Sequence, residues 1–346
     1  MNKLNICVLG DGGWGTTLAI MLFQKGFKVS LWGSFPDYLS YLDKKRTNTK
    51  FLPGIKIAKG IKIVPNLNQA ISDKQLIILA IPSQHLRKIL KKIKQLDYSK
   101  EAIYLSVIKG IEIGSLKRMS EIIHEELGNI RLGVLSGPTI AHEVARGIPT
   151  TVVIASYREN IRKNLQEIFM TGRFRVYTSN DVVGVELGGS LKNIIAIACG
   201  ISDGLGFGTN TKAALLSRGL VEISRLGYAM GANIRTFGGL SGLGDLVTTC
   251  ISPYSRNRFV GEQIGKGKSL KQIISNMQIP ACRQAGLPAG QAGIAEGIPT
   301  AKSAHTLSLR YKVDMPITKE VFSVLYRNKS PEKAVKDLMA RKKKEE

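Results

Sequence analysis

The 346-residue chain has four cysteines, and no two of them form a CxxC pair. Cys7, Cys199, Cys250 and Cys282 are far apart, which excludes a cysteine-based zinc site and a dense disulfide framework and points to a reducing, cytoplasmic setting. No uninterrupted apolar run reaches the roughly 18–20 residues that a membrane-spanning helix needs, so stable membrane insertion is not expected. The start, "MNKLNICVLG", runs straight into a Gly-rich turn instead of a small-residue cleavage site; it reads as a first strand. Four histidines, His85, His124, His142 and His305, show no metal-ligand spacing, and no metal is expected. Acidic residues are scarce, 26 against 50 Lys and Arg, for a net charge of +24. Such a charge would suit an anionic ligand, a membrane surface or nucleic acid. The chain has no helix-turn-helix, zinc-finger or RNP pattern, however, and its basic residues are not interleaved with aromatics. In "HLRKILKKIKQL" the apolar Leu86, Ile89, Leu90, Ile93 and Leu96 recur at helical spacing. The cations there belong to a solvated helix face.

What is present is a chain long enough for two domains, 43% hydrophobic, with a mean hydropathy of zero. The first half alternates strand-like runs ("NICVLG", "KVSLWG", "QLIILAIPS", "AIYLSVIKG", "IRLGVLSGP", "PTTVVIAS") with helical patterns, the signature of βαβ units and a mostly parallel sheet. Beyond about residue 185 long helical stretches take over, such as "LKNIIAIACGI", "TKAALLSRGLVEISRLGYAM" and "ITKEVFSVLYR". The expected architecture is an α/β Rossmann-type doubly wound sheet over residues 1–185, followed by an all-α domain over 186–346. The Ala-, Gly- and Pro-rich "IPACRQAGLPAGQAG" lacks periodicity and reads as an exposed loop inserted at 279–292.

"GDGGWGT" follows the first strand and opens a helix. Gly10, Gly12 and Gly15 match the dinucleotide fingerprint, whose glycines allow a tight turn, close approach of the pyrophosphate and packing of helix on strand. At the end of the second strand, "VSLWGSF", a ribose-binding acid would mark NAD, and Gly33 and Ser34 stand there instead. Nothing repels a 2′-phosphate and no adjacent Arg grips one. Both NAD and NADP stay open as cofactors.

Lys192 interrupts an apolar stretch, where a lysine either snorkels or has a function. Lys109, in "LSVIKGIE", falls just past a strand at the carboxyl edge where open α/β sheets bind ligands, or is an ordinary loop cation. Asp245 lies in a Gly-rich turn, and Ser255, Arg256 and Asn257 form a triplet of donors suited to a phosphate. Alone, such a triplet is more often surface decoration.

Together these stretches resemble the NAD(P)-dependent glycerol-3-phosphate dehydrogenases of the bacterial soluble type. "GDGGWGTTLA", "LAIPSQHLR", "SVIKGIE", "LSGPTIAHEVARGIPT", "ELGGSLKN", "GLSGLGDLVTTC", "SRNR", "GIAEGIPTA" and "MPI" occur in order over nearly the whole chain. The resemblance implies that glycerol 3-phosphate and dihydroxyacetone phosphate are interconverted with NAD or NADP, for phospholipid synthesis, at a site between the two domains. It further implies Lys192 as general acid and base, Lys109 as an aid to substrate binding, and Asp245 as the residue orienting Lys192. Ser255, Arg256 and Asn257 would clamp the phosphate, and Gly137 and Thr139 would line the substrate cleft. Gly10, Gly12, Gly13, Trp14, Gly15, Ser34, Lys109, Ala141, Arg256, Ile294 and Glu296 would contact the cofactor. Family members commonly have Ser or Ala at Gly13 and an Arg near Ser34. A β-hydroxyacid dehydrogenase of similar build is the enzymatic alternative, lacking a phosphate clamp; nucleic-acid binding is the non-enzymatic one. A homodimer is compatible with the sequence, which does not fix oligomeric state.

Overall fold

The computed structural model describes residues 4–278, 293 and 295–343. Its first half runs β1 (Asn5–Leu9), α1 (Gly13–Gln24), β2 (Lys28–Trp32), α2 (Pro36–Lys45), β3 (Thr47–Asn48), β4 (Leu52–Lys56), β5 (Lys62–Ile63), α3 (Leu67–Ile71), β6 (Leu76–Leu79), α4 (Leu86–Lys94), β7 (Ile103–Ser106), α5 (Met119–Leu127), β8 (Arg131–Ser136), α6 (Ala141–Ala145), β9 (Thr150–Ala155), α7 (Glu159–Phe169) and β10 (Phe174–Ser179). The main sheet has the order β10-β9-β8-β7-β6-β1-β2-β5. It is parallel from β5 through β8; β9 pairs antiparallel with β8, and β10 parallel with β9.

Both faces of the sheet are covered, which explains the continuous apolar runs of its strands. Successive side chains alternate between two layers: Ile6 and Val8 pack with α1 and α7, whereas Cys7 and Leu9 pack with α4 and α5. On α4, Leu86, Ile89, Leu90 and Ile93 are buried while Lys88, Lys91, Lys92 and Lys94 are exposed, as the helical spacing requires. From β1 the chain builds outward to β2 and β5, then returns to lay β6 on the other side of β1. That reversal opens a crevice at the carboxyl ends of β1 and β6, the place where open α/β sheets take ligands.

The second half comprises the helices α8 (Val182–Gly204), α9 (Thr209–Ala229), α10 (Asp245–Ile251), α11 (Arg256–Gly265), α12 (Leu270–Gln278), α13 (Gly297–Arg310), α14 (Pro316–Tyr326) and α15 (Pro331–Met339). The expected division after residue 185 falls within the first turn of α8, an unbroken helix capped by Asp181, whose Oδ1 accepts the Gly184 N–H at 2.8 Å. α8 is apolar and long enough to cross a membrane, yet 94% of its most apolar window is buried inside the protein; it is the core helix. Its first turn packs through Val182 and Val185 against Val134, Val153 and Ala155 of the sheet. The segment 279–292, including Cys282, lies outside the described residues.

Glycines let α11 approach α8 to backbone contact. A Cβ on Gly200 would stand 2.0 Å from the Arg258 carbonyl oxygen, and one on Gly261 would stand 2.0 Å from that of Ile197. Gly204 and Gly265 continue the seam, with corresponding distances of 2.4 Å to Glu262 O and 2.5 Å to Ile201 O. No rotamer relieves a backbone–backbone collision, so the helices must separate to admit a methyl group. Gly261→Ala is expected to destabilise the protein by about 1–3 kcal/mol or more in denaturant unfolding. Gly172→Ala, at an exposed glycine with open space around it, should stay within about 0.5 kcal/mol of the parent.

Candidate active site

The glycine loop stands at the crevice, and each glycine has a measurable reason. Gly10, at φ +130°, is a conformation that L side chains rarely adopt, and its Cβ would meet Ala80 O at 2.3 Å. A Cβ on Gly15 would be 1.9 Å from Gly10 O, so only glycine lets α1 pack against the turn. Around Gly12 there is open space to 4 Å, the surface a pyrophosphate can approach. Gly12 caps α1 with no side-chain hydrogen bond, which leaves the first-turn N–H groups available to an anion. Gly13 is tighter than the family pattern suggests: its Cβ would lie 2.6 Å from Phe51 O. Two polar atoms beside the loop, Asp11 Oδ2 and Trp14 Nε1, are buried without a hydrogen-bond partner. The open cradle, the available N–H groups and these two atoms fit a dinucleotide.

Lys192 projects from α8 and is 5% exposed; Asp245, at the start of α10, is 1% exposed. The Lys192 ammonium donates to Asp245 Oδ1 and, at 2.6 Å, to Thr249 Oγ1. Thr249 in turn donates to the Asp245 carbonyl at 2.7 Å. An ammonium has three N–H donors, so one remains for a ligand. Lys109, in the loop after β7, donates to Asp245 Oδ2 at 2.7 Å, Thr139 Oγ1 at 2.9 Å and Gly137 O at 2.9 Å. Its three donors are therefore all used within the chain. One carboxylate thus joins two ammonium groups. Burial pushes the Lys192 ammonium down to about 7, an effect that Asp245 opposes and Lys109 reinforces.

The triplet lies at the start of α11. Ser255 is its cap, with Oγ accepting the Arg258 N–H at 3.2 Å, which leaves the hydroxyl proton to donate. Asn257 donates to Asn193 Oδ1 at 2.9 Å and accepts the Gly297 N–H at 2.8 Å, bridging α8 to α13. Burial lowers the Arg256 guanidinium, and Glu296 partly offsets this. Glu296 is itself raised by burial and accepts from the Ser83 N–H at 2.9 Å and from the Ser83 hydroxyl. Gly293 follows the undescribed segment, and its Cβ would lie 2.6 Å from Arg256 Nη1. Ala141 starts α6 beside the glycine loop, its carbonyl accepting from Thr17 Oγ1 at 3.1 Å. Ser34 is exposed beyond β2. Ile294 lies outside the described residues.

Thr249, Ser83 and Asn193 were not singled out from the sequence. Thr249 follows Asp245 by one helical turn, a spacing that would have placed it on the same face. Ser83 and Asn193 have no local signal; their partners lie at the start of α13 and on α11. Among the described residues no cluster of His, Cys, Asp and Glu could hold a metal.

Because Asp245 neutralises two cations that burial has already taken from water, Asp245→Asn should cost about 3–5 kcal/mol in urea unfolding at neutral pH, the penalty for breaking a buried pair. Loss below about 1 kcal/mol would show that the two ammonium groups are better solvated than this geometry implies.

The chain is similar to known proteins along its length. Residues 5–162 match the family "NAD-dependent glycerol-3-phosphate dehydrogenase N-terminus" and residues 181–336 match "NAD-dependent glycerol-3-phosphate dehydrogenase C-terminus". The chain is 48% identical to the glycerol-3-phosphate dehydrogenase [NAD(P)+] of Prosthecochloris aestuarii over 97% of this chain and 98% of that protein. It is 46% identical to the protein of the same name from Pelodictyon phaeoclathratiforme, over 99% of each. The crystal structure of glycerol-3-phosphate dehydrogenase from Coxiella burnetii superposes with a TM-score of 0.91 at 36% identity, covering 98% of this chain and 99% of that one. With a parallel sheet carrying the glycine loop, a helical second half carrying Lys192, and these relatives along its full length, the chain belongs to the NAD-dependent glycerol-3-phosphate dehydrogenase family.

Proposed function

We propose that this chain interconverts sn-glycerol 3-phosphate and dihydroxyacetone phosphate by hydride exchange with NAD(P), supplying glycerol 3-phosphate for phospholipid synthesis. The observation that carries the reading is the buried ammonium of Lys192, held by Asp245 and Thr249 with one donor to spare, between the sheet's carboxyl edge and the helical half. A bound dihydronicotinamide supplies the hydride. Lys192 donates its remaining N–H to the ketone oxygen, stabilises the negative charge that develops there, and gives up a proton as the alcohol forms. Asp245 keeps that ammonium aimed, and Thr249 fixes its direction. Lys109 acts on Lys192 through the shared carboxylate and ties it to Gly137 and Thr139 at the cleft wall. Ser255, Arg256 and Asn257 hold the substrate phosphate, whose binding energy orients the ketone. Burial lowers the arginine's guanidinium, and a bound phosphate, like Glu296, would favour its charged form. We assign the protein to the cytoplasm, an assignment supported by its buried free thiols Cys7, Cys199 and Cys250.

Ketone reduction needs Lys192 protonated, and alcohol oxidation needs it neutral. The kcat/KM for reduction is therefore expected to be flat at low pH and to fall as pH rises through about 7, while that for oxidation rises through the same value. Lys192→Ala should lose this dependence along with about 10²–10⁴-fold of kcat. A folded variant that keeps most of its kcat overturns the assignment.

Arg256→Ala should raise KM for dihydroxyacetone phosphate about 10–100-fold, the loss of charge-assisted hydrogen bonds. Some kcat should go with it because the same grip orients the ketone, and lysine should rescue only partly, lacking the planar fork. On dihydroxyacetone, which lacks the phosphate, the penalty should largely vanish. Equal penalties on both substrates would assign Arg256 to the cofactor or the fold.

A further inference from the structure

β2 ends at Trp32, and Gly33 and Ser34 follow, so the position from which a carboxylate commonly takes the adenosine ribose hydroxyls has none. A carboxylate reaches that place from the neighbouring loop. Asp11, between the first two glycines of the fingerprint, lies against Gly33: a Cβ on Gly33 would be 2.4 Å from Asp11 Cγ and 2.5 and 2.7 Å from its two oxygens. The absence of a side chain at 33 is what makes room for the acid from 11.

The backbone of Asp11 is anchored. Its carbonyl accepts from Asn48 Nδ2 at 2.8 Å and from Thr16 Oγ1 at 3.3 Å, and Asn48 also donates to Thr16 Oγ1 at 2.7 Å. Asn48 is fully buried and its own oxygen accepts from Tyr38 and the Phe51 N–H, so this anchor is rigid. The Asp11 carboxylate is not satisfied in the same way. Its Oδ2 is buried with no hydrogen-bond partner. Burial pushes the carboxyl up to about 6, against the weaker pull of its own backbone N–H and of Lys50. A buried acceptor held in place without a donor costs stability until a donor arrives. Ser34, exposed on the other side of Gly33, offers no cation to hold a phosphate.

We propose that Asp11 recognises the adenosine ribose: its carboxylate accepts the 2′-hydroxyl of NAD(H) and repels the 2′-phosphate of NADP(H), so that the enzyme prefers the unphosphorylated cofactor. This rests on the reading of the chain as an NAD(P)-linked dehydrogenase. It refines the sequence-level expectation, under which the missing acid after β2 left both cofactors open.

The test is binding, without turnover. Dissociation constants are measured for NADH and NADPH by fluorescence, and for the fragments 5′-AMP and 2′,5′-ADP, which differ only by the 2′-phosphate, by calorimetry, on the parent enzyme, Asp11→Asn and Asp11→Ala. The parent should bind NADH over NADPH, and 5′-AMP over 2′,5′-ADP, by about tenfold or more, and both variants should bring these ratios within about threefold of unity. Equal binding of the two cofactors by the parent, or ratios unchanged in folded variants, overturns the proposal. A merely structural Asp11 would lower the thermal midpoint of its variants without moving the ratios. Were one variant not to fold, the other carries the comparison, and a parent that binds 2′,5′-ADP as well as 5′-AMP overturns the proposal by itself. Failure of the parent to bind either dinucleotide would instead overturn the dehydrogenase reading on which the proposal stands.

Discussion

A carboxylate that is 1% exposed cannot remain charged alone, and everything about the centre of this molecule follows from how Asp245 is compensated. Its two oxygens take two ammonium groups from different parts of the chain, Lys109 from the loop after β7 and Lys192 from α8, while Asp245 itself opens α10. Satisfying one charge therefore fixes three elements relative to one another. Ser136 at the end of β8, whose hydroxyl donates to Asp245 Oδ2 at 3.4 Å, adds a fourth. The two lysines share one countercharge, which leaves the centre net positive and suited to an anionic substrate and to charge developing on a ketone oxygen.

Bringing those groups together requires α8 to pass very close to its neighbours, and glycine makes this feasible. A Cβ at Gly188 would lie 2.5 Å from Ser241 O and one at Gly189 would lie 2.4 Å from Ser136 Oγ. The first contact admits the turn that leads into Asp245; the second admits the end of β8. About three to four turns further along, Gly200 and Gly204 meet α11, which opens on Arg256 and Asn257 behind the Ser255 cap. One helix thus positions Lys192, the proposed proton donor, and, through its glycine seam, the helix proposed to hold the phosphate. The cost is borne by Lys192, which burial makes a weaker base and a better acid than a solvated lysine.

The strands and the longer helices were legible because their cause is local. Alternating apolar residues cover both layers of the sheet, and the spacing of Leu86, Ile89, Leu90 and Ile93 buries one face of α4. β3 and β5 are two residues each, too brief for a period; the six-residue β10 has no continuous apolar run like those of the inner strands, and alternates buried Phe174 and Val176 with exposed Arg175 and Tyr177 at the sheet edge. The reversal of β9 against β8 has no local signature either, because strand direction is set by where the connecting helix packs. Among site residues, Lys192 and Asp245 stood out as charged residues within apolar or Gly-rich surroundings. Asp11 did not, since its meaning depends on Gly33, on a different strand.

By itself, the sequence determined the alternation of strand and helix, the glycine turn at the end of β1, and which charged residues interrupt apolar surroundings. These are properties of short stretches, governed by backbone sterics and side-chain periodicity. The tertiary structure decided which of those residues meet. Lys109 and Asp245 are 136 positions apart, and their contact exists only because buried apolar surface on α8 draws the helical half against the sheet. The same holds for Asp11 beside Gly33. Hydrophobic packing is non-directional and acts over the whole chain, so it sets such distances without leaving a mark in any one segment.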